Sequence, residues 1–536
     1  MSLSRRRLLQ LGLGMSQLAL LPTLGHSPKG RAQGDGAGPS RLLTIYLSGG
    51  FTPQYFYAPM SSAEIGRHIM APRESNGENV GYTPQDVIDV SAGGGGFDPI
   101  RIARTWNPDD PGSRAVVDGR KMVPLGYSWL EHDLFKQAVV IHGVDQGTAA
   151  HDSGYISAMC GVPGSEYRAP AVQSVFANHV YDRFANTRAL PCVGLDARGL
   201  PNALSLPSRS AANFLPDLNS VARALSDRQE RNPWWRGVNL RADVDDIDFD
   251  SAVVGRASRT AVEQRALAQA RLLKGKSSTG TDAFLRTLHE TYRGVSRTLA
   301  ADVVSLIEST AGIEHLIGPA SFGGTQPYGT TGGRFGFTYG LANEHFTDDD
   351  FQSSFDMALR LFKADLTSTI HLYMPRFYFD RHAGESGHLR EFLDMRGSMD
   401  TIARLLGEMK LTPLPSGKTL LDDTLVMIFS EFGRSWASGL DTAQSSFPDD
   451  HWPTTSVTLV GGGLAGGRSI GGFDLDNFAY GPRGRAVDIL EEDGSTNRRV
   501  PRAADVTATA LRVLGLQLHD FFIPGGYGEI LGVRAS

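Results

Sequence analysis

The sequence predicts an α/β protein with a doubly wound, mostly parallel central sheet. Nearly continuous apolar runs, which suit strands buried on both faces of a parallel sheet, occur at residues 42–47, 138–142, 369–374, 424–429 and 456–460. Helical patterns occur at residues 261–273, 284–307, 355–363, 389–410 and 505–514. Strands that alternate with helices in this way are typical of a doubly wound sheet flanked by helices.

The first predicted strand shows why each apolar run is assigned to the sheet. Residues 42–47 are apolar except for Thr44, and the run stops at Ser48-Gly49-Gly50. The other four runs also end in loops that contain Gly, Asp or His. Two segments interrupt the pattern: residues 60–118 are rich in Gly, Asp, Asn and Pro, and residues 207–336 are rich in helical patterns. We predict that both are insertions into one α/β domain that spans residues 40–536.

Composition excludes several classes of protein. The 536 residues carry 52 Lys and Arg against 58 Asp and Glu, a net charge of −6, so the chain is not a basic nucleic-acid-binding protein. Only two cysteines are present, Cys160 and Cys192, which permit at most one disulfide and exclude a Cys-rich zinc module. Any bound metal is therefore expected to be held by His and carboxylate side chains.

The N-terminus indicates export. Residues 4–10 read Ser-Arg-Arg-Arg-Leu-Leu-Gln and precede a weakly apolar stretch at residues 11–25, a pattern typical of a twin-arginine signal. That stretch is too short and too polar for a stable membrane span, which needs about 20 apolar residues. We predict a signal peptide at residues 1–33, recognition by the twin-arginine export machinery, and a periplasmic or secreted mature protein.

Candidate ligands for a metal follow the predicted strands. In open α/β sheets, ligands bind at the carboxyl ends of the strands. The polar residues in these places are Thr148, His151 and Ser153 after residues 138–142, Asp380, His382, Glu385 and His388 after residues 369–374, Glu431 and Arg434 after residues 424–429, and His451 before residues 456–460. Each alone has an ordinary structural explanation, such as a helix cap or a buried histidine. Together, Asp380, His382, Glu431 and His451 predict a divalent metal site, with zinc or manganese as the expected metal.

Such a site suits hydrolysis of an anionic ester. A divalent metal can polarise a phosphoryl or sulfuryl oxygen and activate a nucleophile. Arg434 leaves the same loop as Glu431, so we expect its guanidinium to hold an anionic oxygen through two hydrogen bonds.

Several motifs resemble those of the domain of unknown function 1501 family. They are residues 424–434, residues 450–453 (Asp-His-Trp-Pro), residues 459–463, residues 379–382 and residues 125–143. That family is typically exported by the twin-arginine route and is related to the alkaline phosphatase and sulfatase superfamily. The resemblance therefore implies an alkaline-phosphatase-like fold. It also implies that Asp380, His382 and His451 hold one metal, with Glu431 as a further metal-binding acid.

The nucleophile stays open between two residues. Residues 147–153 occupy the region where enzymes of this superfamily place a Ser, Thr or modified Cys at a helix start, so Thr148 and Ser153 are both candidates. The superfamily's carboxylate after the first strand is missing, because this chain has Ser48-Gly49-Gly50-Phe51-Thr52 there, and Phe432 stands where two-metal phosphatases have a His. The expected function is an exported, metal-dependent hydrolase of phosphate or sulfate esters. The alternative is a non-catalytic exported binding or assembly protein with the same fold.

Overall fold

The computed structural model describes about half of the predicted α/β domain. The described residues are 38–51, 53, 56–57, 87–103, 126–163, 171–184, 188, 192–195, 321–322, 326–327, 348–373, 379–380, 388–434, 451–474 and 483–535. The predicted signal peptide and the predicted helices at residues 261–273 and 284–307 lie outside them. Most of the two predicted insertions also lies outside them.

The described strands, in chain order, are β1 (Arg41–Tyr46), β2 (Val87–Asp89), β3 (Arg101–Ala103), β4 (Ala138–Asp145), β5 (Cys192–Leu195), β6 (Ser321–Phe322), β7 (Gln326–Pro327), β8 (Thr369–Tyr373), β9 (Thr424–Phe429), β10 (Gly433–Arg434), β11 (His451–Trp452), β12 (Thr454–Gly461), β13 (Arg468–Gly471), β14 (Phe473–Asp474), β15 (Arg483–Gly484), β16 (Val487–Glu491), β17 (Thr496–Arg499) and β18 (Gly528–Ile530). The described helices are α1 (Tyr127–Glu131), α2 (His151–Cys160), α3 (Val172–Phe184), α4 (Asp348–Lys363), α5 (His388–Leu411) and α6 (Ala503–Val513), with 3-10 turns at Phe135–Gln137 and Leu518–Asp520.

Seven of these strands form the central sheet in the order β13-β4-β12-β9-β1-β8-β5. Neighbouring strands run parallel from β9 through β1 and β8 to β5, and β13 runs parallel to β4. Only β12 reverses direction in this sheet, because it pairs antiparallel with both β4 and β9. The predicted α/β class and mostly parallel sheet are therefore confirmed. The reversal matters for the site, since β12 begins at the edge of the sheet where the other strands end.

Helices cover both faces of the sheet, as its apolar strands require. All six residues of β1 are buried. One face packs Leu43 and Ile45 with side chains of α4 and α5, including Leu359 and Leu406. The opposite face packs Leu42 and Tyr46 with side chains of α2, α3 and α6. Each fully buried Leu or Ile contributes about 1.5–3 kcal/mol to folding, so this two-sided core holds the strand ends in fixed positions.

Smaller features complete the described structure. β2 and β3 pair antiparallel within the first predicted insertion, and Ile100 and Ile102 of that segment are fully buried in the same core cluster as side chains of α4 and α5. Cys160 and Cys192 are buried free thiols and form no disulfide. Over the described residues, none of the helices combines the length and apolar character that a membrane span requires.

Candidate metal centre

Polar side chains from four parts of the chain meet at the carboxyl edge of the sheet. His151 begins α2 after the loop that follows β4, and Asp380 lies beyond the end of β8. Glu431 follows β9 directly, and His451 belongs to β11, just before the reversed strand β12. Because β12 starts at this edge, the residues before it lie beside the residues that follow the parallel strands. The topology therefore explains how residues up to 300 positions apart in the chain form one site.

Two histidines approach one carboxylate. His151 Nε2 lies 3.3 Å from Asp380 Oδ2, and His451 Nε2 lies 3.1 Å from Asp380 Oδ1. One ligand atom from each of the three residues fits within 4.8 Å of the other two. The three side chains are about a quarter exposed, so solvent reaches the site. We call His151, Asp380 and His451 the metal triad.

The triad has the donor set and spacing of a metal site. Imidazole nitrogens and a carboxylate oxygen suit zinc and related divalent ions. A tetrahedral ion with ligands at about 2.0–2.1 Å separates neighbouring ligand atoms by about 3.3–3.4 Å. The two nitrogen–oxygen distances, 3.3 Å and 3.1 Å, are close to this value. Small side-chain movements would therefore let the three residues hold one ion.

Both imidazoles are oriented through their second nitrogen. His151 Nδ1 lies 2.8 Å from Glu431 Oε1, and His451 Nδ1 lies 3.0 Å from the carbonyl oxygen of Ala149. Each acceptor requires a proton on Nδ1, which directs Nε2 toward Asp380. Metal-binding histidines commonly donate their other ring N–H to a carboxylate or a backbone carbonyl, and such partners fix the ring orientation. Both contacts match that pattern.

Glu431 is held as an acceptor behind the triad. Its side chain is fully buried. Besides His151, it accepts hydrogen bonds from the Gly49 backbone N–H at 2.7 Å, from the Ser430 hydroxyl at 2.7 Å and from the Tyr46 hydroxyl. A carboxylate can accept about four hydrogen bonds, so these four donors occupy all of its acceptor positions. The sequence predicts Glu431 as a metal ligand, and in the structure its Oε1 accepts a hydrogen bond from His151 Nδ1.

Arg434 is also turned inward. Its side chain is fully buried, and Nη2 donates to Asp380 Oδ1 at 2.8 Å and to the carbonyl oxygen of Phe379 at 2.9 Å. The same nitrogen donates to the carbonyl of Gly49, and Nε donates to that of Gly50 at 3.3 Å. The oxyanion clamp expected from the sequence needs an accessible guanidinium. In this structure the guanidinium instead holds the Asp380 carboxylate.

The charges of the site are strongly coupled. Burial alone would lower the pKa of His151, but its hydrogen bonds to Asp380 and Glu431 outweigh burial and raise that pKa to about 9. Burial alone would raise the pKa of Asp380, but hydrogen bonds from His151, His451 and Arg434 hold that pKa far below its usual range. The site thus presents a firmly ionised carboxylate facing cationic or metal-bound partners.

The glycine turn after β1 contributes backbone groups where the motif resemblance led us to expect a carboxylate. Gly49 has φ = +109°, a conformation that favours glycine, and an added Cβ would overlap the Asp380 backbone nitrogen. This close approach brings the Gly49 N–H to Glu431 and its carbonyl to Arg434. Phe432 packs its ring 4.4 Å from that of His451 and 4.9 Å from that of His151. The turn therefore contacts the residues behind the triad, and the phenyl ring packs on its two imidazoles.

A glycine also lets α2 approach the site. A Cβ on Gly154 would lie 2.6 Å from the Glu431 carbonyl oxygen and 2.9 Å from the Glu431 Cβ. Its absence allows the first turn of α2 to pack directly on the β9 loop. His151, one turn earlier on the helix, thereby reaches both Glu431 and Asp380.

A comparison with protein families agrees with this region. The family described as protein of unknown function (DUF1501) matches residues 132–526, which is about three quarters of the chain. The chain belongs to the DUF1501 family. A comparison with curated proteins gives no match. The matched range contains the whole metal triad together with Glu431 and Arg434, whereas β1 and the glycine turn precede it.

The two candidate nucleophiles of this DUF1501 protein occupy different positions. Thr148 lies in the loop before α2, next to Ala149, whose carbonyl contacts His451, and its Oγ1 accepts the Ala150 N–H at 3.2 Å. Ser153 lies on α2, two residues after His151. Helical residues two positions apart point in directions about 160° apart, so Ser153 projects away from the triad.

Three of the four predicted metal ligands come together in the described structure. Asp380, Glu431 and His451 converge, while His382 lies outside the described residues. His151 is the triad member that the predicted ligand set did not include. Its only signal in the sequence is its place after the 138–142 strand, which it shares with several other polar residues. Only its contacts with Asp380 and Glu431 in the folded protein distinguish it from them.

Proposed function

We propose that this DUF1501 protein is an exported hydrolase that cleaves phosphate or sulfate esters with one divalent metal, zinc or manganese, held by His151, Asp380 and His451. The observation that carries the proposal is the shared orientation of the two imidazoles. Each ring has Nδ1 on a fixed acceptor and Nε2 at one carboxylate. This arrangement differs from a lone buried histidine, because two rings and one acid converge on the same small volume.

The surrounding residues have positioning roles in this proposal. His151, Asp380 and His451 would hold a divalent ion, which would supply polarisation of an ester oxygen and a lowered pKa of a hydroxyl or water. Arg434 holds the Asp380 carboxylate, and Glu431 holds the His151 ring. Their burial excludes water from behind the triad and keeps both groups from turning away. Neither residue needs to contact the substrate to matter for the reaction.

The start of α2 favours an anionic ester. The helix begins at His151, and its N-cap residue Ala150 provides no capping side chain. The positive end of the helix dipole therefore lies beside the triad and attracts a negatively charged group. Asp152, exposed in the same turn, acts in the opposite direction. The substrate class that fits best is a small phosphate or sulfate ester rather than a polyanion such as nucleic acid.

Thr148 is the preferred protein nucleophile. It precedes α2 beside the contact between Ala149 and His451, whereas Ser153 projects from the far side of the first turn. Thr148→Val should lower the rate of ester cleavage by at least tenfold, and Ser153→Ala should leave it near the wild-type rate. Equal rates for Thr148→Val and wild type would instead favour direct attack by water.

An alkaline-phosphatase-like fold and twin-arginine export are part of the same proposal. The motif resemblance and the mostly parallel sheet with its helices on both faces support the fold. The twin-arginine pattern at residues 4–10 supports export to the periplasm or beyond. Folding before export would let the triad take its metal in the cytoplasm, where the choice of metal is controlled.

A non-catalytic binding or assembly protein is the second candidate. It is favoured by the turn at Gly49 and Gly50, which stands where a carboxylate for a second metal is expected. Such a protein would keep one metal, or none, as a structural element.

Metal analysis and ester assays separate the two candidates. The mature chain, purified without chelators, should contain about one equivalent of zinc or manganese and should hydrolyse an aryl phosphate or an aryl sulfate. Asp380→Asn and His151→Ala should lose both properties, while the exposed control His519→Ala should keep them. Stoichiometric metal without turnover of either ester would reject the hydrolase and favour the structural role. A folded wild type with neither metal nor activity would reject the metal centre altogether.

A further inference from the structure

Phe432 packs on both histidines of the metal triad. Its ring centroid lies 4.4 Å from that of His451 and 4.9 Å from that of His151, and the two imidazole centroids are 4.5 Å apart. The three rings therefore contact one another in a triangle, near the short end of the range for aromatic pairs. The Phe432 side chain is fully buried, whereas both imidazoles are partly exposed. The phenyl ring thus lies on the protein side of the triad.

The phenyl ring is held in place from behind. A Cβ on Gly50 would lie 2.4 Å from Phe432 Cε2, so the glycine turn packs directly against the ring. The guanidinium carbon of Arg434 lies 5.7 Å from the ring centroid. Close packing of this kind keeps a buried side chain in one rotamer. The two imidazoles therefore pack on a fixed surface, and the hydrogen bond at each Nδ1 completes their orientation.

One short segment of the chain supports all three triad residues. Glu431 accepts a hydrogen bond from one triad imidazole, and Arg434 donates to the triad carboxylate. Phe432, between them in the chain, packs on both imidazoles. The same segment pairs with the strand of one ligand, because β10 and β11 are antiparallel and Arg434 lies opposite His451. Phe432 acts on both imidazoles at once, so their relative position depends on its ring.

The spacing of two imidazoles matters more to zinc than to manganese. Zinc binds imidazole nitrogen well and favours four ligands in a tetrahedron, whereas manganese prefers carboxylate, carbonyl and water oxygens. The triad offers two imidazoles and one carboxylate, and the buried acid Glu431 accepts from His151 Nδ1. Displaced imidazoles should therefore cost zinc two of its ligands. Manganese, which relies more on the carboxylate and on water, should lose less.

We propose that Phe432 is a positioning residue that strengthens the preference of the metal triad for zinc over manganese, because its ring fixes the separation of the two imidazoles. Sites with nitrogen and oxygen ligands generally bind zinc more tightly than manganese, and Phe432 widens that difference. The side chain acts only through the two imidazoles and contacts neither the ion nor the substrate. This role rests on the metal-binding part of the proposed function and does not depend on ester cleavage.

A matched pair of variants of the full mature chain tests this role. Phe432→Leu removes the flat ring, and Phe429→Leu makes the same change at a buried phenyl ring of β9 that packs on Tyr46 instead. Zinc affinity is measured by competition with a fluorescent chelator at pH 7.5, and manganese affinity from the loss of the electron paramagnetic resonance signal of free Mn(II). In Phe432→Leu the ratio of the two dissociation constants should shift toward manganese by about tenfold, as when a histidine ligand loses its support. Phe429→Leu should keep the wild-type ratio.

Thermal unfolding of the metal-free proteins checks that each variant folds. Should Phe432→Leu not fold, Phe432→Met carries the test, because an unbranched thioether fills irregular space in a core. An unchanged metal ratio in the folded Phe432 variant, or an equal shift in Phe429→Leu, would overturn the positioning role. Tighter binding of manganese than of zinc by wild type would overturn the selectivity, and absence of both metals would overturn it together with the metal centre. A zinc preference that depends on Phe432 in a protein that cleaves no ester would support this role and reject only the hydrolase.

Discussion

Replacing Glu431 by Gln tests whether this acid orients a metal ligand or is one itself. The substitution preserves shape, and an amide oxygen at the Oε1 position would still accept from His151 Nδ1 and the Gly49 N–H. The new NH2 group would face Ser430, whose hydroxyl can turn to donate to the Leu47 carbonyl at 2.6 Å instead. The fold should therefore persist, while the charge that strengthens the bond to His151 is lost.

The expected magnitude follows from that single change. Loss of a partner behind a metal-binding histidine typically weakens metal binding by about 10–100-fold, which corresponds to about 1.4–2.8 kcal/mol. Competition titration of zinc against a fluorescent chelator at pH 7.5 measures the dissociation constant of wild type and Glu431→Gln. Thermal unfolding of the metal-free proteins, with the exposed substitution His519→Ala as control, checks that the fold is intact.

Two results would refute the reasoning. Wild-type affinity in Glu431→Gln would show that the contact with His151 has no bearing on the metal. Complete loss of metal from a well-folded Glu431→Gln protein would show that Glu431 binds the metal directly, as the sequence suggested. Intermediate weakening, with Asp380→Asn abolishing binding, is the outcome that fits the structure.

Three further predictions concern the packing at Gly154, the charge of Arg434 and the buried histidine His371. Gly154→Ala should destabilise the protein by about 1–3 kcal/mol, because the new methyl group collides with the Glu431 backbone, and urea unfolding that matches wild type would contradict this packing. Arg434→Lys should weaken zinc binding, since an ammonium cannot reproduce the several contacts that fix the Asp380 carboxylate, and unchanged affinity in the chelator titration would count against a positioning role. His371 should contribute to acid denaturation, because burial lowers its pKa to about 3 while the unfolded chain keeps about 6.5. The unfolded state then binds the extra proton, so stability should fall by about 1.4 kcal/mol per pH unit as pH drops from about 6.5 toward 3. Urea unfolding at several pH values from 7 to 4 gives the free energy of unfolding as a function of pH. This free energy should fall less steeply with decreasing pH in His371→Gln than in wild type, and an equal dependence on pH would contradict the lowered pKa of His371.

The sequence predicted the strand bounds well where an apolar run corresponds to a fully buried strand. The apolar run at residues 424–429 has the same bounds as β9, and the run at residues 42–47 differs from β1 by one residue at each end. Placing ligands after parallel strands also put Asp380, beyond β8, and Glu431, after β9, at one edge of the sheet. These successes share a cause, since strand ends in one sheet must lie along one edge.

The remaining features depend on tertiary contacts that no local pattern encodes. The reversal of β12 is visible only in its pairing with β4 and β9, and it explains why His451 reaches the site from before a strand. The selection of His151 requires knowing that Gly154 lets α2 approach Glu431. The inward turn of Arg434 depends on the three carbonyls that surround it. A charged residue in a glycine-rich loop gives no sign of whether it faces solvent or the protein.

Anomalous diffraction at the zinc absorption edge, from crystals of the mature chain loaded with zinc, tests the metal triad most directly. The structure predicts one peak within about 2.0–2.2 Å of His151 Nε2, His451 Nε2 and an Asp380 carboxylate oxygen. Absence of a peak there, or a peak bound by Glu431 in place of His151, would contradict it.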